Sequence, residues 1–196
     1  MKLRNFKYLI RLLICKPIAG LLFVVYVKNN SFLIEDIVSN IRHRRKKEVT
    51  NLKNDFRYLL IHYSDFAFIF FWRIKSRFFL YKWLFYPKSS FCKIFRSTKL
   101  EGGVVCYHPY ATVINAKSIG DNFIFRNGLT IGNKNNNNSQ LPVIGNNVEV
   151  GANVVIIGDI YIGDNVIVGA GSVVVKSIPS NSVVVGNPAR IIKKIN

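Results

Sequence analysis

Aliphatic or aromatic residues recur every six positions through the second half of the chain: Val113, Ile119, Phe125 and Ile131, then Ile144, Val150, Ile156, Ile162, Val168 and Val174. Glycine follows at once at 120, 132, 145, 151, 163 and 169. Four positions after the lead residue comes another apolar or small one, as at Phe123, Leu129, Val148, Val154, Ile160, Val166 and Ser172. A period of six is neither helical nor the alternation of an ordinary strand. It predicts a triangular coil with one straight side per six residues, lead side chains pointing into the prism, and a small residue after each lead where the chain turns. Each turn must stack on its neighbours to bury its interior. The repeat is interrupted at residues 133–142, NKNNNNSQLP, which must loop out of the coil.

The first half has a different pattern. Residues 5–27 predict one or two apolar helices, interrupted at Pro17. Residues 33–48 predict a helix with Glu35 and Asp36 in its first turn and a basic cluster, residues 42–47, at its far end, as the helix dipole favours. His43 within that cluster should face solvent. Residues 51–63 predict a further helix carrying His62 as a structural histidine. Ser64 or Asp65 should cap another helix running to about Leu84. Aromatics on nearly every face of that last helix predict burial against other helices or at a subunit contact. A surface helix resting on lipid headgroups is the alternative.

Composition sharpens the division. Residues 1–99 hold 21 Lys+Arg against 5 Asp+Glu, whereas residues 100–196 hold 7 against 5 and 12 of the 13 glycines. The boundary is expected at residues 95–100, giving an α-helical, basic and aromatic region over 1–97 and a repeat domain over 98–196. The formal charge of +18 invites an anionic partner, but no zinc spacing and no RNA-binding aromatic pattern supports nucleic acid. Cys15, Cys92 and Cys106 form no paired framework, which fits free thiols in a reducing compartment. The uninterrupted apolar run at residues 17–27 is 11 residues, well short of the roughly 20 that span a bilayer. No signal peptide or spanning helix is therefore expected. The expected location is the cytoplasm, with peripheral contact at the inner membrane face as a second expectation.

GAGSVV (169–174) and GNPARII (186–192), set in the repeat, resemble hexapeptide-repeat acyltransferases, whose fold is a left-handed parallel β-helix. HPYATVINAKSIGDNFIFRNGLTIGN (108–133) resembles the serine acetyltransferase branch and, more closely, its relatives that O-acetylate bacterial surface sugars. YSDFAFIFFWRIK (63–75) resembles the helix before the repeat in those relatives. The resemblance runs from about residue 55 to the end. It implies a mainly β architecture with an α-helical region in front, a homotrimer, and acetyl transfer from acetyl-CoA to a hydroxyl in a groove between neighbouring prisms. No metal is implied.

The resemblance makes His108 the general base. An alcohol attacks a thioester usefully only if its proton leaves as the new bond forms, and imidazoles titrate close enough to neutrality to take it. It further implies Ala152, Gly169, Ala170 and Ser172 as small residues along the pantetheine arm, and Lys176, Arg190 and Lys193 as cations for the phosphates. Tyr107 and Asn127 are candidates for the acceptor groove. Three departures weigh against serine as acceptor. Lys93 stands where serine acetyltransferases place the aspartate that orients the base, Leu141 where they place a second histidine, and Tyr107 where they place an acidic neighbour. A sugar hydroxyl is then the leading acceptor, and the orienting partner of His108 is a backbone carbonyl, Glu101 or Asp121. The alternatives are a serine O-acetyltransferase and a non-catalytic trimeric scaffold. A β-helix carbonic anhydrase needs three zinc-binding histidines, and the repeat contains His108 alone.

Overall fold

The computed structural model describes residues 2–75, 84–85 and 92–195, with side chains from residue 12 onward. Two compact units meet between Ser89 and Ser90. The first strand, Cys92–Ile94, already belongs to the coil. The repeat unit thus begins several residues ahead of the compositional boundary, because its opening residues, 92–99, are still basic and lack glycine.

In the N-terminal unit α1 (Lys2–Leu22) passes through Pro17 without a break and continues into a π-helical turn, Phe23–Val27. The expected interruption is absent. Pro17 and Leu13 lie on the exposed side of the helix, where solvent can satisfy the carbonyl that proline leaves unbonded. Helix α2 (Ser31–Arg45) starts two residues earlier than expected, capped by Asn30, whose side chain accepts from Leu33 N at 3.1 Å. Glu35 and Asp36 consequently fall beyond its first turn. Asn51 caps α3 (Leu52–His62) through Asn54 N at 3.0 Å. Helix α4 (Ser64–Arg73) follows with Tyr63 at its cap position and no side-chain cap bond, so the expected capping by Ser64 or Asp65 is not made. The rest of the helix expected to run to Leu84 reaches residues 76–83, which lie outside the described residues.

Aromatic packing holds this unit together. Phe56, fully buried on α3, meets Phe66 and Phe70 of α4 edge-on, at centroid distances of 6.1 and 5.1 Å. Over its described length α4 is a buried helix, which explains its many-sided apolar face. The basic cluster at the end of α2 is knitted into the same unit. Arg44 lies over Tyr63, Arg45 over Tyr58, and Lys47 meets Asp55 at 3.2 Å. His43 and His62 are both exposed, with the His62 ring against Tyr58.

The C-terminal unit is a parallel β-helix with three sides. Side 1 stacks Cys92–Ile94, Thr112–Ile114, Thr130–Gly132, Val155–Ile157 and Val173–Val174. Side 2 stacks Lys99–Leu100, Ser118–Ile119, Val143–Ile144 and Tyr161–Ile162. Side 3 stacks Val105–Tyr107, Ile124–Arg126, Glu149–Val150, Ile167–Val168 and Ser182–Gly186, and the chain then doubles back antiparallel as Ala189–Lys194. In-register columns fill the interior. One of them, Cys106, Phe125, Val150, Val168 and Val184, is almost wholly buried.

Two details of the repeat differ from the reading above. Val113 points outward, 40% exposed, and Ile114 is the inward residue, in register with Ile94 and Ile131. Eight residues rather than six separate Cys106 from Ile114, so the count slips there. The turning residue is also not the glycine after each lead. Left-handed φ falls three positions after the lead, at Asn122, Asn147, Asn165 and Asn181 with φ of 54–58°, and at Gly103, Gly128 and Gly171 on other turns. Asparagine tolerates this region better than most side chains do. The glycines just after the leads serve close stacking instead: a Cβ on Gly151 would stand 2.5 Å from Ala170 N on the next turn. The asparagines also hydrogen-bond along the edge between sides 2 and 3, Asn122 to Asn147 at 3.0 Å, Asn147 to Asn165 at 3.1 Å and Asn165 to Asn181 at 2.8 Å. Asn165→Val, β-branched and without the amide, is expected to lower stability by about 1–3 kcal/mol. A urea midpoint equal to that of the wild type would show that this edge does not depend on it.

Candidate active site

His108 sits where the count slips. The two extra residues between Cys106 and Ile114 push the chain out at the edge between sides 3 and 1. There His108 and Ala111 both adopt left-handed φ, 49° and 50°. Such a conformation is strained for a non-glycine residue and is held only by its surroundings. Those surroundings are visible: Tyr110 N donates to His108 O at 2.6 Å, Gly128 N to Tyr110 O at 2.8 Å, and the buried Thr112 hydroxyl to Tyr110 O at 3.2 Å. The imidazole ends exposed, stacked on Tyr110 with ring centroids 6.3 Å apart and planes 14° from parallel. The prism thus presents the ring on a rigid bulge and keeps it out of the packed interior.

Several other candidates share that edge. Asn127, half-buried, lies one turn on, and its carbonyl accepts from Asn153 N at 2.9 Å. Ala152 comes next, its carbonyl accepting from Gly171 N at 2.8 Å. Gly169 and exposed Ala170 follow on the same edge. The column is built of small residues. Ser172 ends it but faces inward: fully buried, its hydroxyl donates to Gly169 O at 2.6 Å and accepts from Gly186 N at 3.2 Å. Its side chain closes the corner and does not line the surface. Arg190 is exposed on the final strand opposite Val185, beside this edge, and Lys193 is exposed opposite Val183, farther along side 3. Lys176 is exposed but lies on a different edge, between sides 1 and 2.

That second edge also carries the polar loop. Residues 133–142 close on themselves, Asn133 donating to Asn138 at 2.7 Å and Ser139 to Asn137 at 2.8 Å. Between the loop and the coil is a cavity of about 380 Å³, lined by Lys134, Gln140, Asp159 and Val175 among others. Leu141, half-buried, closes the loop, and Lys93 points outward on side 1 with its ammonium over Phe95. Glu101 and Asp121 stand on the third edge, between sides 2 and 3, where the Asp121 carboxylate accepts from Gly102 N at 3.2 Å. Within one chain neither shares the edge of His108.

Two neighbours escaped the sequence reading. Tyr110 supplies the ring against His108. Arg126, exposed in register beside Tyr107, holds its guanidinium 5.0 Å from the Tyr107 ring and 4.0 Å from Glu149. The eight-residue gap was the signal that could have marked this bulge and its flanking tyrosines.

Residues 142–176 match the bacterial transferase hexapeptide family (six repeats). The matched residues lie within the β-helix of the C-terminal unit. Its relatives are transferases by name. This chain is 56% identical over 86 residues to WcaB of Escherichia coli (strain K12), provisionally named a colanic acid biosynthesis acetyltransferase, a match covering 43% of this chain and 53% of WcaB. It is 44% identical over 96 residues to the chloroplastic serine acetyltransferase 1 of Arabidopsis thaliana, covering 48% of this chain and 31% of that one. The chain therefore spans about half or less of the curated relatives it matches. Soybean serine acetyltransferase superposes with a TM-score of 0.63 at 26% identity, covering 87% of this chain and 73% of that structure. The Brucella abortus (strain S19) serine acetyltransferase, solved in complex with coenzyme A, superposes with a TM-score of 0.65 at 23% identity, covering 89% and 72%, a likeness of fold.

Proposed function

We propose that this protein transfers an acetyl group from acetyl-CoA to a sugar hydroxyl of a bacterial surface polysaccharide or its precursor, with His108 as general base. The observation that carries the reading is the strained, exposed His108 at one end of a column of small residues on a single edge. The 56% identity to WcaB over 86 residues directs it toward a saccharide. In the reaction the imidazole takes the proton of the acceptor hydroxyl as its oxygen attacks the thioester carbonyl. The tetrahedral oxyanion collapses, the C–S bond breaks, and the imidazolium returns the proton to the departing thiolate. Ala152, Gly169 and Ala170 leave room for a pantetheine arm against backbone. Arg190 supplies a cation where that edge meets the final strand, and Lys193 a second one farther along side 3. Tyr107, Tyr110, Asn127 and Arg126 flank the acceptor side.

The reading also calls for more than one copy. Lys176 and the polar loop are one side of the prism away from the edge of His108. Copies that lay the first of these edges against the second would bring both to one groove, and repeating that contact three times closes a ring. We therefore place the active site between protomers of a homotrimer. The free thiols Cys15, Cys92 and Cys106 fit the reducing cytoplasm. Among the described residues no helix is long and apolar enough to cross a membrane, and our reading has the protein reach the inner membrane face peripherally.

Incubation with acetyl-CoA and a panel of acceptors, monitoring thiol release, tests the activity. Turnover with oligosaccharide acceptors and none with L-serine is expected. Efficient turnover of L-serine would reverse the ranking. A protein that binds no acetyl-CoA at all would be a scaffold.

A further inference from the structure

Among the described residues, the N-terminal unit leaves one long apolar face uncovered. Along α1 and the π-helical turn, Leu13 is 74% exposed, Leu21 62%, and Ile14, Val24 and Val25 about half exposed. Phe32, at the start of α2, adds to the apolar surface at 41%. An isolated exposed leucine means nothing, but five large aliphatic residues on one helix form a patch that soluble surfaces seldom carry. Residues 1–34 contain six Lys or Arg and no Asp or Glu. A helix of this kind, apolar on its open side and with cations as its only charges, has the make-up of one that lies in the plane of an anionic bilayer.

A second observation comes from the adjoining helix contact. Between α1 and α3 is a cavity of about 400 Å³ whose lining includes Lys16, Asn54, Arg57, Tyr58 and His62. Three of these five are basic types and the other two can donate hydrogen bonds. Arg57 reaches toward α1, where Gly20 makes room: a Cβ there would stand 2.5 Å from Arg57 Nη2. Arg57 Nε is buried without a hydrogen-bond partner. A buried guanidinium donor left unmatched is costly, and an oxyanion in the cavity would match it. Asp55, next to Asn54 in sequence, meets Lys47 through Oδ1 at 3.2 Å, and its buried Oδ2 makes no hydrogen bond to Arg57.

We propose that α1 rests on an anionic bilayer with Leu13, Ile14, Leu21, Val24 and Val25 in the headgroup–acyl boundary, and that the Lys16–Arg57 cavity takes the phosphate of one phospholipid. A second copy of the chain fits this face less well. Two such faces packed symmetrically would bring Lys16 and Lys28 of each copy together with no carboxylate from this helix to oppose them. The inference deepens the peripheral-membrane part of the reading above. It is tested without acetyl donor or acceptor, so its outcome is separate from that of the acetyl-transfer reading.

The test is sedimentation of the full chain with vesicles of phosphatidylcholine alone or of equal parts phosphatidylcholine and phosphatidylglycerol. The wild type should sediment with the mixed vesicles, more weakly as salt rises, and not with phosphatidylcholine alone. The double variant Leu21→Glu, Val25→Glu changes only exposed positions and should weaken binding by about tenfold or more. Arg57→Gln and Lys16→Gln should each weaken it severalfold, with circular dichroism checking that the helices persist. Inorganic phosphate should displace the protein no better than chloride at the same ionic strength. Equal binding by the Leu21→Glu, Val25→Glu protein would overturn the apolar contact, and equal binding by both cavity variants would overturn the phosphate site. Calorimetric binding of inorganic phosphate without vesicle binding would assign the cavity to a soluble ligand and overturn the proposal. So would a wild type that ignores vesicles but forms larger assemblies dissolved by the double variant, since a second copy would then cover the face.

Discussion

His108→Ala should lower kcat for acetyl transfer by about 10²–10⁴-fold while KM for acetyl-CoA changes little, because the imidazole acts on the proton in flight and not on donor binding. Alanine also puts a different side chain on a left-handed backbone, so a shifted bulge is a competing cause of its effect. His108→Asn separates the two: asparagine accepts the φ of 49° that the bulge imposes and offers no comparable base. Both variants should be equally impaired in thiol-release assays and keep the oligomeric state of the wild type. Activity recovered in His108→Asn would make the residue a conformational support. Tyr110→Leu, which removes the stacked ring but keeps bulk, should cost activity without abolishing it.

Asp36→Ala should destabilise the protein by about 3–5 kcal/mol, the largest loss expected from a single substitution in the N-terminal unit. Asp36 of α2 is buried, and it accepts from Arg73 of α4 in a two-point contact, Nε to Oδ2 at 2.5 Å and Nη2 to Oδ1 at 3.0 Å. Both side chains are almost fully withdrawn from solvent, 1% and 7% exposed. Removing the carboxylate takes from this buried guanidinium the charge that meets it through two hydrogen bonds. The double change Asp36→Leu, Arg73→Met removes both charges and should recover much of the loss, as replacement of a whole buried pair by apolar groups commonly does. Urea denaturation of the three proteins reads both effects. A single variant as stable as the wild type would mean that water reaches Arg73.

The β-helix was legible because its signal is local: each lead residue repeats at a spacing that no helix or plain strand produces. The errors came where the spacing slips. Counting back by six from Ile119 placed Val113 inward, when the turn that carries the bulge gives that place to Ile114, five residues before Ile119. The turn was assigned to glycine for its freedom, yet the left-handed positions are mostly asparagines, and several glycines are needed for the approach of the next turn. Asp36 and Arg73 lie 37 residues apart on different helices, so nothing in local pattern joins them. Helical periodicity likewise did not reveal that Pro17 could be carried within α1, which depends on which side of the helix meets solvent.

The candidate site was legible residue by residue but not in its grouping. His108, Asn127, Ala152, Gly169 and Ala170 fall on one edge, Lys176 on another, and the Ser172 hydroxyl turns inside. Position within the turn decides the edge, so counting turns would have separated Lys176 from His108 in advance. The inward turn of Ser172 follows from its place four residues after Val168, the position that elsewhere holds Leu129 and Val154.

The most direct measurement is a crystal structure of the protein with coenzyme A bound. The thiol should lie within about 4 Å of the His108 ring at a seam between two protomers, with the pantetheine arm along Ala152 and Ala170 and the phosphates toward Arg190. Coenzyme A seated elsewhere on the coil, with His108 facing neither the thiol nor a neighbouring chain, would contradict the account.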